Sequence, residues 1–256
     1  MSELIRRFKT GELEVFVFAS TEVLAAAAVR AAREHLEAAL NRAGQAAAIF
    51  ATGNSQIRFL DQLAQSGGID WSRVTLFHMD EYLGLPPDHP ASFRRYLKER
   101  VERTLSPGTF HYLAGDALEP IRECDRYTQL LRAQPIDLCC LGIGENGHLA
   151  FNDPPVADFQ DERLVKIVKL DTTCKQQQVG EGHFPHLDAV PSHALTLTIP
   201  ALCSARRMIC IVPEQRKATA VRGALQGPIS TSCPASILRR QSHCTLFLDT
   251  ESASLL

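Results

Sequence analysis

The chain has 256 residues, of which 27 are Lys or Arg and 29 Asp or Glu, giving a formal charge of −2. That balance argues against a nucleic-acid binder working through a broad basic face. With 45% hydrophobic and 22% charged residues, the composition is globular rather than disordered, and the chain can bury a core without metal or disulfide staples.

The first ten residues carry Arg6, Arg7 and Lys9 but then meet Gly11, Glu12 and Glu14 instead of a long apolar stretch, which is not a signal-peptide pattern. Residues 15–18 read as a strand, and Ser20 or Thr21 caps a long Ala-rich helix ending near Gly44. Residues 46–52 form a second strand, followed by Gly53, Asn54 and Ser55 and a helix over 56–65. Residues 74–78 are a third strand; after a loop at 80–90, Ser92 caps a helix running to about Leu105. Residues 118–133 read as helix and 136–141 as a nearly continuous apolar strand.

The second half repeats the alternation. Strands are predicted at 164–169 and 194–198, a short helix at 200–204, an apolar strand at 208–212, a helix at 215–225 and a last strand at 244–248. Apolar strands alternating with helices predict a parallel sheet covered on both faces. No linker composition or internal repeat divides the chain, so one domain over residues 1–256 is expected. Residues 153–192 are polar and irregular, and a loop or lid is expected there.

Eight cysteines stand at 124, 139, 140, 174, 203, 210, 233 and 244, with no CxxC pair. Cys139, Cys140, Cys210 and Cys244 lie in apolar runs, where a reduced thiol packs as a small hydrophobe. No run of 18 apolar residues occurs, so no membrane span is expected. A soluble, cytoplasmic protein is the reading.

Open α/β sheets bind ligands at the carboxyl ends of their strands. Four unusual segments fall there: Thr52-Gly53-Asn54-Ser55, Met79-Asp80-Glu81-Tyr82, the run from Gly142 to His148, and Gln215-Arg216-Lys217. Parallel strands bring all four to one edge of the sheet. Thr52 to Ser55 can hold an anion on backbone N–H groups at a helix start, or serve as an ordinary turn with Ser55 as cap. The glycines from 142 to 147 let the backbone turn tightly and carry His148 to the sheet edge; with Asn152 and Asp153 following, a catalytic histidine is favoured over a structural one. Asp80 and Glu81 are either turn formers or a carboxylate placed to take a proton beside a carbonyl. Lys217 alone reads as a solvated helix face, but a phosphate bound at that helix start would explain a cation there. His183 and His186 have metal-like spacing, yet Pro185 bars a helical pair and no third ligand is evident, so no metal site is read.

The segments Met79 to Pro86 (MDEYLGLP) and Gly142 to Pro154 (GIGENGHLAFNDP) resemble the signatures of glucosamine-6-phosphate deaminases, and the resemblance extends from the Thr52 loop through Lys217 to Leu238. It implies a three-layer α/β/α sandwich on a mostly parallel, Rossmann-like sheet. It also implies conversion of glucosamine 6-phosphate and water to fructose 6-phosphate and ammonia, without metal or organic cofactor. By the same resemblance His148 opens the pyranose ring, Asp80 moves the C2 proton to C1, and Asn146 and Asp153 orient the histidine. Thr52, Gly53, Asn54, Ser55 and Lys217 match the phosphate-binding positions.

The chain departs from the family pattern at several places. Asn146 stands where some members have aspartate, Asp153 replaces the more usual glutamate, and the Thr52 loop lacks a second glycine. Gln178 aligns with a phosphate-binding arginine. Some members are activated by N-acetylglucosamine 6-phosphate through a serine and a basic cluster; here those positions align with Val156 and with Leu164, Lys166 and Ile167. The alternatives are a 6-phosphogluconolactonase of the same fold, disfavoured by MDEY and AFND, and a non-catalytic sugar-phosphate sensor, disfavoured by intact Asp80 and His148. The partner expected is a small-molecule sugar phosphate, with no nucleic acid and no membrane; a homo-oligomer is left open.

Overall fold

The computed structural model describes residues 3–256. Met1 and Ser2, the start of the stretch read against a signal peptide, lie outside the described residues. The chain enters through an antiparallel hairpin of β1 (Leu4–Thr10) and β2 (Leu13–Phe18). Helix α1 (Thr21–Ala43) follows, with Ser20 Oγ accepting from the Val23 N–H at 3.4 Å. It ends at Gly44, whose left-handed φ of 76° lets its N–H reach the Leu40 carbonyl at 2.8 Å. Then come β3 (Ala46–Phe50), α2 (Ile57–Gln65), β4 (Val74–His78) and the short β5 (Asp80–Tyr82).

Helix α3 (Phe93–Leu97) widens into a π turn at Lys98–Glu102 and closes in α4 (Arg103–Leu105), so the helix predicted from Ser92 is present but irregular. Next are β6 (Thr109–His111), α5 (Pro120–Arg132), β7 (Leu138–Leu141), β8 (Val165–Lys169), α6 (Thr172–Gly180) and β9 (His193–Leu197). The chain finishes with α7 (Ile199–Cys203), β10 (Arg207–Val212), α8 (Ala218–Gln226) and β11 (Cys244–Asp249).

Eight strands form one sheet in the order β1-β2-β11-β10-β7-β3-β4-β6, parallel throughout except for the edge strand β1. The central strands β3 and β7 are buried along their whole length, as an apolar strand covered on both faces must be. Apolar residues of α1, α2 and α3 pack on one face, and those of α5, α7 and α8 on the other. The three-layer α/β/α arrangement is therefore present.

Three expectations are corrected. The strands predicted at 164–169 and 194–198 do not join the parallel sheet; they form a separate antiparallel sheet in the order β5-β9-β8. The loop predicted at 80–90 begins with strand β5, which pairs with β9. The irregular segment 153–192 contains, beyond the strand predicted in it, helix α6, whose polar residues escape an apolar-periodicity reading. Beneath this layer Tyr82, Phe93, Phe151 and Phe184 make an aromatic core of their own.

Candidate active site

Four neighbouring strands, β10-β7-β3-β4, deliver the four segments singled out in the sequence to one cleft. The cleft is lined by Thr52, Gly53 and Ser55 after β3, Asp80 after β4, Gly144 and His148 after β7, and Lys217 after β10. Helix α6 roofs it with Gln177 and Gln178, and Glu181 closes one end.

Gly53 adopts φ 97°, a conformation that favours glycine, and turns the chain from β3 into a 3-10 turn at Asn54–Gln56. The Gln56 amide ties this loop to the Ile211 carbonyl at 3.2 Å and Ser55 Oγ at 3.3 Å, and the Tyr96 hydroxyl donates to the Gly53 carbonyl at 3.1 Å. Ser55 and the loop backbone face the cleft, whereas Asn54 turns its amide to the Glu181 carbonyl at 3.4 Å.

Asp80 is buried, and its Oδ1 meets no hydrogen-bond partner among the described residues. Burial, with the adjacent Glu81 charge, pushes its carboxyl well above the usual carboxylate range. Burial also raises the pKa of Glu81, but unlike Asp80 it is hydrogen-bonded throughout. It accepts from the N–H groups of Tyr82, Phe93 and Arg94 and from the Ser92 hydroxyl, all at 2.8–3.2 Å, so it braces the start of α3 and is not free to react.

The glycine loop after β7 folds back on itself, with Gly144 N–H bonded to the His148 carbonyl at 3.0 Å and Gly147 N–H to the Gly144 carbonyl at 2.9 Å. A Cβ on Gly144 would stand 2.2 Å from the His148 ring, so the imidazole lies flat against bare backbone. His148 Nδ1 lies 2.9 Å from Asp153 Oδ1, off the ring N–H axis. The Asn146 amide donates to the same Asp153 oxygen at 2.9 Å and its carbonyl accepts the His148 backbone N–H at 3.1 Å. Burial opposes the charge on Asp153, but contact with His148 and hydrogen bonds from Asn146 and the Asp171 N–H hold its carboxyl below the usual range. Asn146 and Asp153 thus stand behind the histidine.

His148, Asp153 and Cys174 each place one potential metal ligand atom within 4.8 Å of the others, the one such set among the described residues. Its carboxylate is already engaged by an amide, a backbone N–H and the imidazole, which is the bonding of an oriented acid–base pair. His183, of the histidine pair noted in the sequence, contacts Glu181 at 3.3 Å.

Lys217 is 3% exposed and closes the 3-10 turn Gln215–Lys217 that opens α8. Burial lowers its pKa, against the raising influence of Glu181, Glu145 and Glu214. Beside it Arg216 bonds Glu181 at 2.7 Å and Glu214 at 2.5 Å and reaches Glu145 at 3.4 Å. Gln177 adds a bridge, accepting from the Glu145 N–H at 2.9 Å and donating to Glu181 at 2.8 Å. Sequence reasoning missed this network; the opposite charges of Glu214 and Arg216 just before Lys217 were its only signal. Gln178 lines the cleft, with its Oε1 accepting from the Tyr82 hydroxyl at 2.6 Å.

Residues 19–247 match the family described as glucosamine-6-phosphate isomerases/6-phosphogluconolactonase. A glucosamine-6-phosphate deaminase of Arthrobacter sp. (strain FB24) is 33% identical over 250 residues, 95% of this chain and 93% of that one. The structure of a monomeric glucosamine-6-phosphate deaminase superimposes with a TM-score of 0.86 at 31% identity, covering 94% of this chain and 99% of that one. A 6-phosphogluconolactonase from Thermotoga maritima shares the fold, with a TM-score of 0.75 at 20% identity over 93% of this chain and 99% of that one. The chain belongs to the glucosamine-6-phosphate isomerase/6-phosphogluconolactonase family.

Proposed function

We propose that the protein is a glucosamine-6-phosphate deaminase, isomerising a 6-phosphorylated amino sugar to a ketose phosphate with release of ammonia, and that one domain carries the whole reaction. The observation that carries this reading is the pairing, in one cleft, of an unpartnered buried carboxylate, Asp80, with an imidazole backed by a carboxylate, His148.

The division of labour follows from the two environments. An imidazole titrates near neutrality and serves as acid or base in turn, so His148 moves the proton at the ring oxygen when the pyranose opens. Asp153 and Asn146 fix its orientation. Asp80 lies where water is scarce; its raised pKa makes the carboxylate a stronger base for the C2 proton and the acid a usable donor to C1. The resulting imine is hydrolysed by water, leaving fructose 6-phosphate and ammonia. Thr52 to Ser55 and Lys217 hold the phosphate, through backbone N–H groups at a turn and one buried cation.

The test is a panel of glucosamine 6-phosphate, galactosamine 6-phosphate and 6-phosphogluconolactone, with ammonia, ketose phosphate and lactone opening each followed. Stoichiometric ammonia and fructose 6-phosphate from the first supports the proposal. Lactone opening without ammonia from either amino sugar overturns it.

A further inference from the structure

We propose that Arg216 is a second phosphate-binding cation held in reserve by Glu181, and that the phosphate of the substrate takes the place of the Glu181 carboxylate on it. The inference rests on the reading that this cleft takes a sugar phosphate, and it names the residues that make room for the anion.

The Glu181 side chain is 4% exposed and lies at the phosphate end of the cleft. Its Oε1 accepts from Arg216 at 2.7 Å and from Gln177 at 2.8 Å. Its Oε2 lies 3.3 Å from His183 Nε2 and 4.0 Å from where a Cβ on Gly53 would stand. A carboxylate therefore borders the loop whose N–H groups and hydroxyls suit an anion. Two cations, Arg216 and Lys217, face three carboxylates there, Glu145, Glu181 and Glu214. That balance is one negative charge in excess; water screens the partly exposed Glu145 and Glu214, but the buried Glu181 carboxylate repels an entering phosphate dianion at close range.

Protonation does not relieve this repulsion. Burial raises the pKa of Glu181, but the hydrogen bond to His183 and the charges of Arg216 and Lys217 hold it at about 2, so it is ionised at every working pH. The carboxylate has to move. It sits just beyond the end of α6 between Gly180 and Gly182, two glycines with open space where a side chain would be, and Gly182 has φ 80°. The Glu181 N–H and carbonyl stay tied to the Gln177 carbonyl and the Asn54 amide, so the withdrawal is a turn of the Glu181 side chain, and the glycines on either side leave it room. Withdrawal of Glu181 frees the planar fork of Arg216, the group best matched to two phosphate oxygens. It also answers the departure at Gln178: the uncharged amide occupies the aligned arginine position, and the turn after β10 supplies the guanidinium.

The experiment is calorimetric titration of inorganic phosphate, and separately of fructose 6-phosphate, into wild type, Glu181→Gln, Glu181→Asp and Arg216→Ala. Glu181→Gln is expected to bind both ligands about tenfold more tightly, and Arg216→Ala about tenfold more weakly, as fits one charge-assisted contact. Glu181→Asp keeps the charge but draws it back by one methylene, and an intermediate gain of about threefold is expected. Unchanged or weaker binding in both Glu181 variants, or undiminished binding in Arg216→Ala, overturns the exchange. Ammonia release by the wild type is scored separately, so loss of the deaminase reading and loss of the exchange remain distinct results.

Discussion

Lys166 and Val156 are joined through the backbone: the lysine Nζ donates to the Val156 carbonyl at 2.7 Å and meets Asp161 Oδ2 at 3.1 Å. Lys166 is 5% exposed, so its charge is spent inside the protein. Leu164 and Ile167 beside it offer no charge, and Val156 offers no hydroxyl. We therefore expect hyperbolic kinetics and no activation by N-acetylglucosamine 6-phosphate. Rate curves measured with and without that effector decide it; a sigmoidal curve made hyperbolic by the effector would contradict the expectation.

Asp80→Asn should remove most turnover while leaving KM within a few-fold, because proton transfer at carbon occurs only along the reaction path. Steady-state kinetics on glucosamine 6-phosphate check this, and solvent deuterium should enter C1 of the product only with Asp80 intact. Near-normal kcat in the variant would remove Asp80 from the chemistry.

For His148→Gln, the loss should be larger with the closed-ring sugar than with an open-chain analogue, since ring opening is the step assigned to the imidazole. The comparison of kcat/KM on the two substrates is the measurement. An equal loss on both would move His148 to a later step or leave it holding the loop.

Lys217→Ala removes the buried cation of the phosphate end. A charge-assisted hydrogen bond contributes roughly 1.5–3 kcal/mol, so affinity for phosphorylated ligands should fall about ten- to a hundredfold. Unphosphorylated glucosamine should bind equally poorly to both forms. Equal affinity of variant and wild type for the sugar phosphate would sink the assignment.

Stability should fall on the acid side partly through Glu181. Its pKa is depressed from 4.5 to about 2 on folding, so the folded state prefers the carboxylate and gains stability that is complete above pH 4.5. That contribution, on the order of 3 kcal/mol, is lost as pH falls toward 2. Thermal melts of wild type and Glu181→Gln between pH 7 and pH 3 should show a gap that narrows on acidification. Asp80 has the opposite sign, since its raised pKa gives stability that is lost as pH rises through it. A gap that stays constant with pH would remove Glu181 from the acid limb.

The parts of the fold legible in the sequence are those where burial is complete. Strands β3, β7 and β10 read as apolar runs because both faces are covered, and α1 announces itself through Ser20 and Gly44. Strand β1 escaped because Leu4, Ile5, Arg6 and Arg7 are all exposed on the sheet edge, where no apolar alternation is required. Strand β5 has three residues, Asp80, Glu81 and Tyr82, and looks like a turn. In α6 the buried positions include Cys174 and Gln178: the thiol joins the aromatic core and the amide faces the polar cleft, so no apolar stripe marks the helix. The same polarity hid Gln177 and Glu181, while Asp80, His148 and Lys217 were recognisable from their place after apolar strands.

The strand order ties the two ends of the chain together in time as well as in space. Among the described residues strand β2 pairs only with β1 and with β11, the last strand, so β11 is the hairpin's link to the rest of the sheet. During synthesis the hairpin leaves the ribosome well before the strand it docks on and must wait for residues 244–249. Contacts this distant in sequence make for slow closure. A nascent chain that already displays Asp80 and His148 still has an open sheet edge at β10, and the final strand acts as the keystone that seals it.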